Sequence, residues 1–300
     1  MRTSFVCSAI RRGLWLLPFV VLAACGSPPP EQFADFAKLG TALADTTPPL
    51  LDAAFEEAVS ADSIVLINAR TDTEDPDKRL TALEEHDKLL SARLGIYADL
   101  TRHSRLLRRY FVTLAMLADT SGDSGLGDSA EGIVKQLGAI HPKLSAANLG
   151  NVDVASFVKA AAPAAVGAFR SIALQRELEA RKDDIARELD LQQAVLAAIA
   201  EQMRRDIKLQ LQEERQARVD FPFIDPGNLP GDWADQRLKS LRTPITLQAV
   251  DAAARASDSL LTAFIALTEG GGAGGSVAQL LQDVSTAVSL VEALKKPPQQ

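Results

Sequence analysis

Few residues in this chain have the type and spacing that chemistry would require. The chain has three histidines, and His86 and His103 fall on one predicted helix. Their 17-position separation corresponds to about 25 Å along a helix axis, so they cannot share a metal. His141 comes directly before a proline, at a predicted helix end. We therefore predict no metal site in this chain.

Ser156 and Lys159 have the S-x-x-K spacing, which can place a lysine amine one helical turn from a serine nucleophile. The S-D-N and K-T-G motifs that accompany this spacing in penicillin-recognising enzymes do not occur in the chain. A match of two residues arises readily by chance. We predict that Ser156 is inert, that the chain has no catalytic residue and no cofactor, and that it is not an enzyme.

An arginine cluster is the sharpest local anomaly in an otherwise acidic chain. Arg102, Arg105 and Arg109 recur at i, i+3 and i+7, which puts their guanidinium groups on one helix face. Such a stripe suits a docking surface for a carboxylate-rich protein, peptidoglycan or lipid phosphate. The alternative, which the sequence favours, is pairing with acids of a neighbouring helix, such as those at Asp183, Asp184 and Glu188.

A second candidate surface is the Pro-rich segment 221–230, with Trp233 just beyond it. Phe221, Phe223 and Trp233 could form a recognition tip, because aromatic anchors contribute much binding energy at low entropic cost. The sequence favours the alternative that these side chains close the open end of a helical bundle.

The elements that must position these residues are helices. Only 5% of the residues are aromatic, and no segment alternates β-branched and polar residues as a strand would. We predict an all-α fold: an elongated up-and-down helical bundle with one very long helix and a C-terminal helical hairpin.

Cap and proline signals set the expected boundaries. A first helix should end near Asp45, and a second should begin at Thr47 and Pro48. Asp75 should cap a long helix from Pro76 to about Ala118, with an inward face formed by Leu83, Leu90, Leu94, Tyr97, Leu107, Phe111 and Leu114. A short helix should run from 128 until His141 and Pro142 end it.

The very long helix is expected over about 164–219, a rod of roughly 80 Å. Its apolar residues follow an eleven-residue repeat, which keeps the stripe nearly straight: Leu178, Ile185, Leu189, Leu196, Ala200, Ile207 and Leu211. Such a stripe must be covered by the earlier long helix, by the C-terminal pair or by another chain, so a homodimer is one possibility.

The charge balance restricts the partners. The chain carries 32 Lys and Arg against 39 Asp and Glu, a net charge of −7. An acidic surface repels phosphate backbones, so we predict no nucleic-acid partner.

The amino terminus carries a targeting pattern. Arginines precede an apolar run that ends in Leu22-Ala23-Ala24-Cys25-Gly26, and the run is about half as long as a bilayer-spanning helix. This resembles the signal sequence and lipobox of bacterial lipoproteins. The resemblance implies cleavage before Cys25, lipid on its thiol and, with Gly26 next, an outer-membrane protein facing the periplasm.

The expected organisation is therefore a signal peptide at 1–24, a lipid-anchored Cys25 with a Pro-rich tether to residue 30, one elongated helical domain at 31–296 and a tail at 297–300. We expect a membrane-anchored scaffold or adaptor for other envelope components, such as an envelope protein or peptidoglycan. A periplasmic hydrolase with a non-motif active site and a self-associating helical structural protein stay open. A deep cleft collecting His86, an acid and a serine would favour the hydrolase, and an exposed apolar groove or a bare arginine stripe would favour the adaptor.

Overall fold

The computed structural model describes residues 30–70, 74–119, 124–159, 166–167, 169, 171–225, 227–270 and 273–295. The expected signal peptide, Cys25 and the final tail lie outside these residues. The described chain forms seven α-helices and no strand, which confirms the predicted all-α helical bundle. They are α1 (Pro30–Ala69), α2 (Pro76–Asp119), α3 (Ser124–Ser145), α4 (Ile172–Arg215), α5 (Phe221–Ile224), α6 (Trp233–Thr268) and α7 (Gly274–Lys295).

Helix α1 is continuous where the sequence predicts a break between Asp45 and Thr47. Pro48 lacks the N–H that would bond the carbonyl of Ala44, and this oxygen instead accepts a hydrogen bond from Ser104 Oγ of α2 at 3.2 Å. The Thr47 hydroxyl does not cap a new helix, because it donates to the carbonyl of Leu43 at 3.0 Å. A hydrogen bond between α1 and α2 thus offsets the helix-breaking effect of the proline.

Helix α3 also departs from its predicted limits, since it begins at Ser124 and continues through Pro142 to Ser145. A proline in the last turn removes one backbone donor only. The extra turn carries Leu144 into the core, where the side chain is 1% exposed. Burying a leucine contributes about 2 kcal/mol, which is enough to offset one lost hydrogen bond.

The predicted single very long helix is one of three. Helices α1, α2 and α4 have 40, 44 and 44 residues, so each is roughly 60 to 66 Å long. Helix α4 begins at Ile172 rather than near 164, and a π-helical turn at 216–220 follows it. The eleven-residue stripe is buried from Leu178 to Ala200 and half-buried at Ile207, while the side chain of Leu211 lies outside the described part.

The core is one connected cluster, and α4 lies at its centre. Leu191, Val195 and Ile199 are also fully buried, so the middle of α4 is covered by other helices on several sides. Its coverage comes from helices of the same chain, chiefly α6, with α3, α1 and α2 adding contacts. At one end of the bundle Phe36 packs edge-on against Phe111, with ring centroids 5.7 Å apart.

Helices α6 and α7 pack against each other as the predicted C-terminal hairpin, and α6 ends in a turn after Thr268. The turn lies at the end of the bundle where α1 begins, because Gly167 N bonds the carbonyl of Thr268 and Phe169 packs on Phe33. In the described part of the chain, no helix combines the length and apolar character that crossing a membrane requires.

Two helical hairpins extend from the opposite end, and we call them arm 1 (residues 59–92) and arm 2 (residues 215–242). They leave the packed body at one level, where Thr243 bonds Glu57 at 2.8 Å and Arg93 contacts Asp206 at 3.3 Å. Among the described residues of the arms, only Ile64 and Val219 are buried.

The inward face predicted for the first half of α2 is therefore wrong. Leu83 and Leu94 are 44% and 47% exposed, and Leu90 is half-buried. The apolar spacing is present, but in arm 1 only the end of α1 covers it. Tyr97, Leu107, Phe111 and Leu114 face the core as predicted.

Candidate functional site

The arginine stripe is exposed, and its predicted pairing with α4 is wrong. Arg102, Arg105 and Arg109 are all exposed, and within the described residues none of them has an ion-pair partner. The expected acids are engaged elsewhere: Asp183 contacts Lys182, Asp184 contacts Arg187, and Glu188 contacts two histidines.

The reason is the rotation of α2 about its axis. His103 is fully buried and points at Glu188 of α4, so this face of α2 is the one that meets α4. Arg102, Arg105 and Arg109 lie about 100° to 160° around the helix from His103, on the side away from α4. Arg108 is the one arginine of this turn that bonds an acid, with its Nε 2.7 Å from Asp45 Oδ1.

An apolar groove of about 390 Å³ lies beside the stripe, between α1 and α2. Its floor is formed by Leu51, Phe55 and Tyr97, with the rings of Phe55 and Tyr97 packed edge to face at 6.2 Å. Arg102 and Arg105 form one rim, and Arg109 continues the positive edge one turn further along α2. We call this combination the arginine groove.

The base of the groove is held rigidly. Tyr97 is 4% exposed, and burial raises its pKa to about 12, with the Arg93 charge opposing this rise and Asp206 adding to it. The guanidinium of Arg93 reaches Asp206 of α4 at 3.3 Å and the carbonyl of Leu149 at 3.2 Å. The floor is therefore fixed by α4 and by the loop after α3, whereas the rim arginines form no ion pair with any described residue.

The aromatic segment does not plug the bundle. Phe221 and Phe223 are 63% and 67% exposed at the end of arm 2, and Ile224 beside them is 75% exposed. Trp233 is half-buried: its ring stacks on Phe223 at 5.5 Å, and its Nε1 donates to the carbonyl of Val219 at 3.0 Å. We call Phe221, Phe223, Ile224 and Trp233 the aromatic tip.

One buried polar cluster escapes prediction from the sequence. His103 Nε2 lies 3.1 Å from Glu188 Oε2, and His141 Nδ1 lies 3.1 Å from Glu188 Oε1. Burial would raise the pKa of Glu188, but the two histidines outweigh burial and lower it. The three residues lie far apart in the sequence on three different helices, so no local sequence pattern could have predicted that they meet. Because His103 is fully buried, the arrangement can lock α2, α3 and α4 together.

The remaining sequence candidates lie apart from one another. Lys159 Nζ pairs with Asp258 of α6 at 2.6 Å, and Ser156 is exposed in a short 3-10 turn. His86 bonds Asp62 at 2.6 Å within arm 1. In the part of the chain that the structure describes, no group of three His, Cys, Asp or Glu side chains is placed to hold a metal ion.

The arginine groove combines an apolar floor with a rim of arginines that have no ion-pair partner among the described residues. A fixed apolar floor can accept the apolar side chains of a ligand, and unpaired guanidinium groups can bind carboxylates through two hydrogen bonds each. An acidic amphipathic segment carries apolar side chains and carboxylates close together, and it would therefore match both parts of the groove. Comparison of the chain with protein-family models, with curated proteins and with solved structures finds no match.

Proposed function

We propose that this protein is a lipid-anchored adaptor of the bacterial envelope that binds an acidic segment of another envelope protein in the arginine groove. In this role the protein has no catalytic activity. Its lipid is attached to Cys25, and its folded domain lies at the outer membrane, facing the periplasm, as the lipoprotein resemblance implies.

The bare arginines beside an apolar floor are the observation that carries the proposal. Three like charges on one helix face repel one another, and no described acid within ion-pair distance compensates Arg102, Arg105 or Arg109. An acidic partner would relieve that repulsion. Phe55, which is half-buried, and Leu94, which is 47% exposed, would add apolar contact at the centre of the interface, where binding energy concentrates.

The direction of α1 supports an anchored role. Helix α1 begins at Pro30, five positions after Cys25, so an anchor there would hold that end of the bundle close to the membrane. The groove residue Leu51 lies about 30 Å further along α1, and both arms end about 60 Å from its start. The groove and the aromatic tip would then both lie well clear of the lipid, where partners are reachable.

The aromatic tip offers a second contact of different chemistry. Its exposed phenylalanines form the kind of patch that marks protein interaction sites. The arginines at the rim of the groove would select a partner with negative charge. The aromatic tip would add binding affinity that does not depend on charge.

Site-specific photo-crosslinking in the native envelope tests the proposal. Ala98 is exposed and lines the groove, and Ala180 is an exposed alanine on α4 that serves as the matched control site. A photoreactive amino acid at 98 should give a defined protein adduct, identified by mass spectrometry, whose crosslinked peptide is rich in Asp and Glu. The same probe at 180 should not give that adduct.

Charge reversal separates the groove from general charge effects. Replacing Arg102, Arg105 and Arg109 with Glu should abolish the adduct. Replacing the exposed cations Lys38, Lys88 and Arg176 with Glu changes the net charge equally and should leave it intact. An adduct indifferent to reversal of the groove arginines would overturn the proposal, and an adduct of two copies of this chain would establish self-association instead.

The anchor has its own test. Cys25→Ala should abolish incorporation of labelled palmitate, release the protein from the membrane fraction and reduce the groove adduct. Retention of Cys25→Ala in the membrane fraction would contradict lipid anchoring at Cys25. The groove would still be tested independently by the photo-crosslinking experiment.

A further inference from the structure

A second cleft lies on another side of the bundle and shares no residue with the arginine groove. It encloses about 490 Å³ between α4, α6 and α7, next to the 3-10 turn that precedes Phe157. Phe157, Ala197 and Ala254 supply apolar lining, and most of the other lining side chains are charged or carry an amide. Such a mixture is typical of a site for a small polar molecule with an apolar part.

Most charges around this cleft are matched in pairs. Arg204 of α4 bonds Asp251 of α6, and Lys159 bonds Asp258 at 2.6 Å. Arg255 lies between these pairs on α6 and is exposed in the cleft. It has no ion-pair partner among the described residues, although acids lie one turn away in both directions. A guanidinium held open in this way can receive a carboxylate.

Asp283 of α7 is an acid without a matching cation. Its Oδ2 accepts hydrogen bonds from Ser259 Oγ at 2.6 Å and from Gln279 Nε2 at 3.0 Å. Neither donor carries a charge, and no described Lys, Arg or His forms an ion pair with this carboxylate. Because both donors bind Oδ2, Oδ1 is available to an ammonium group.

Gln193 of α4 provides a third open position. Its side chain lines the cleft, and its Oε1 is buried beneath the surface with no hydrogen-bond donor within the described structure. A buried acceptor without a donor is costly, so a rotation of the side chain that brings this oxygen to a ligand N–H would be favoured. Among the described residues, the cleft thus offers an unpaired cation, an unpaired carboxylate and a side-chain amide whose oxygen lacks a donor.

The spacing of the two free charges limits the ligand. Ser259 lies one helical turn after Arg255, about 6 Å along α6, and it is bonded to Asp283. Two residues of extended peptide span about 7 Å, so the termini of a dipeptide are separated by a similar distance. In a single amino acid the two charged groups lie closer together than this, so a dipeptide matches the offset between the two sites better.

We propose that this cleft binds short peptides with free termini, the C-terminal carboxylate on Arg255 and the N-terminal ammonium on Asp283. The Gln193 oxygen accepts a peptide N–H, and Phe157 contacts an apolar side chain. This activity is separate from the proposed adaptor role, because it uses another face and does not depend on Arg102, Arg105 or Arg109.

Calorimetric titration of the folded protein with the dipeptide Ala-Ala tests this assignment. The wild type should bind it saturably, and Arg255→Gln and Asp283→Asn should each weaken binding about tenfold or more, because each removes a charge-assisted contact. Arg176→Gln removes an exposed arginine of α4 that forms no ion pair with a described residue, and this variant should bind as the wild type does. Circular dichroism of each variant verifies that it is folded.

Blocked peptides check the two ends separately. N-acetyl-Ala-Ala should lose the contribution of Asp283, and Ala-Ala-amide that of Arg255, so Asp283→Asn should weaken the acetylated peptide no further. No saturable binding by the wild type up to about 10 mM Ala-Ala, or binding by both variants as tight as that of the wild type, would overturn the proposal. Binding of free alanine as tight as that of Ala-Ala would overturn it too, because the spacing argument requires two residues.

Discussion

Replacing Gly40 with alanine should destabilise this protein, whereas the same replacement at Gly95 should stabilise it. Both glycines lie inside long helices, Gly40 in α1 and Gly95 in α2. A methyl group at 40 would lie 2.7 Å from Cδ2 of the Phe111 ring, and one at 95 would meet no atom within 4 Å. Phe111 is 1% exposed and packed on Phe36, so the ring has little room to move.

At Gly40, the gain in helix propensity and the steric cost of the added methyl group change the stability in opposite directions. Alanine in a helix interior is favoured over glycine by about 0.5 to 1 kcal/mol, and this gain applies at both positions. An added methyl in a packed core costs about 1 to 3 kcal/mol. The predicted contacts to Phe111 are about 1 Å shorter than optimal carbon separations, which places the cost in the upper part of that range. Gly40→Ala should therefore lower the free energy of unfolding by about 1 to 2 kcal/mol, and Gly95→Ala should raise it by about 0.5 to 1 kcal/mol.

Urea unfolding followed by circular dichroism at 222 nm measures the difference. The midpoints should move in opposite directions at an unchanged slope, because neither change alters the surface exposed on unfolding. Phe111→Leu, which shortens the neighbour, should reduce the penalty of Gly40→Ala in a double-mutant cycle. A Gly40→Ala protein as stable as Gly95→Ala would refute the close packing of α1 on α2.

The buried ionisable groups give two further predictions. Glu188→Gln should destabilise the protein by about 2 kcal/mol at pH 7, and its difference from the wild type in urea unfolding should shrink as pH falls below 4.5. The sign follows from the lowered pKa of Glu188, since a depressed carboxyl stabilises the fold only while it is ionised; a difference that grew with acidification would contradict this. Tyr97 and Tyr110 are the two tyrosines of the chain, and burial raises the pKa of both, that of Tyr97 to about 12. Absorbance at 295 nm should therefore show no tyrosinate in the folded protein at pH 10.5. In 6 M guanidinium, which unfolds the protein, both tyrosines should ionise near pH 10. A transition near pH 10 in the folded protein would contradict this, because it would mean that a tyrosine is accessible to solvent.

Features set by neighbouring residues are the ones that the sequence predicts well. Helix α2 begins at Pro76 as expected, because Asp75 Oδ1 accepts the N–H of Asp77 in a local cap. The buried stripe of α4 from Leu178 to Ala200 follows from its spacing alone. These signals act within one or two helical turns and need no knowledge of what packs against them.

Features that depend on how helices rotate against one another could not be obtained in this way. The spacing of Arg102, Arg105 and Arg109 predicts one face of α2 but not the direction of that face. Their freedom becomes visible only when His103 is seen to occupy the side toward Glu188. The exposure of Leu83 is a similar case, because a stripe in a projecting arm has the same pattern as a stripe in a core.

The contact between Ser104 and the carbonyl of Ala44 makes the continuity of α1 a property of the whole fold. A peptide of residues 30–69 has Pro48 and Pro49 in its middle and lacks the Ser104 hydroxyl that bonds the carbonyl of Ala44, so its two halves should form separate, fraying helices in isolation. In the assembled bundle the hydroxyl of α2 joins them. The segment before the prolines carries Phe33 and Phe36 in the body, and the segment after them leads into arm 1. Docking of α2 is thus the event that couples the body to the arm as one cooperative unit, and local opening at this contact would uncouple them without unfolding either.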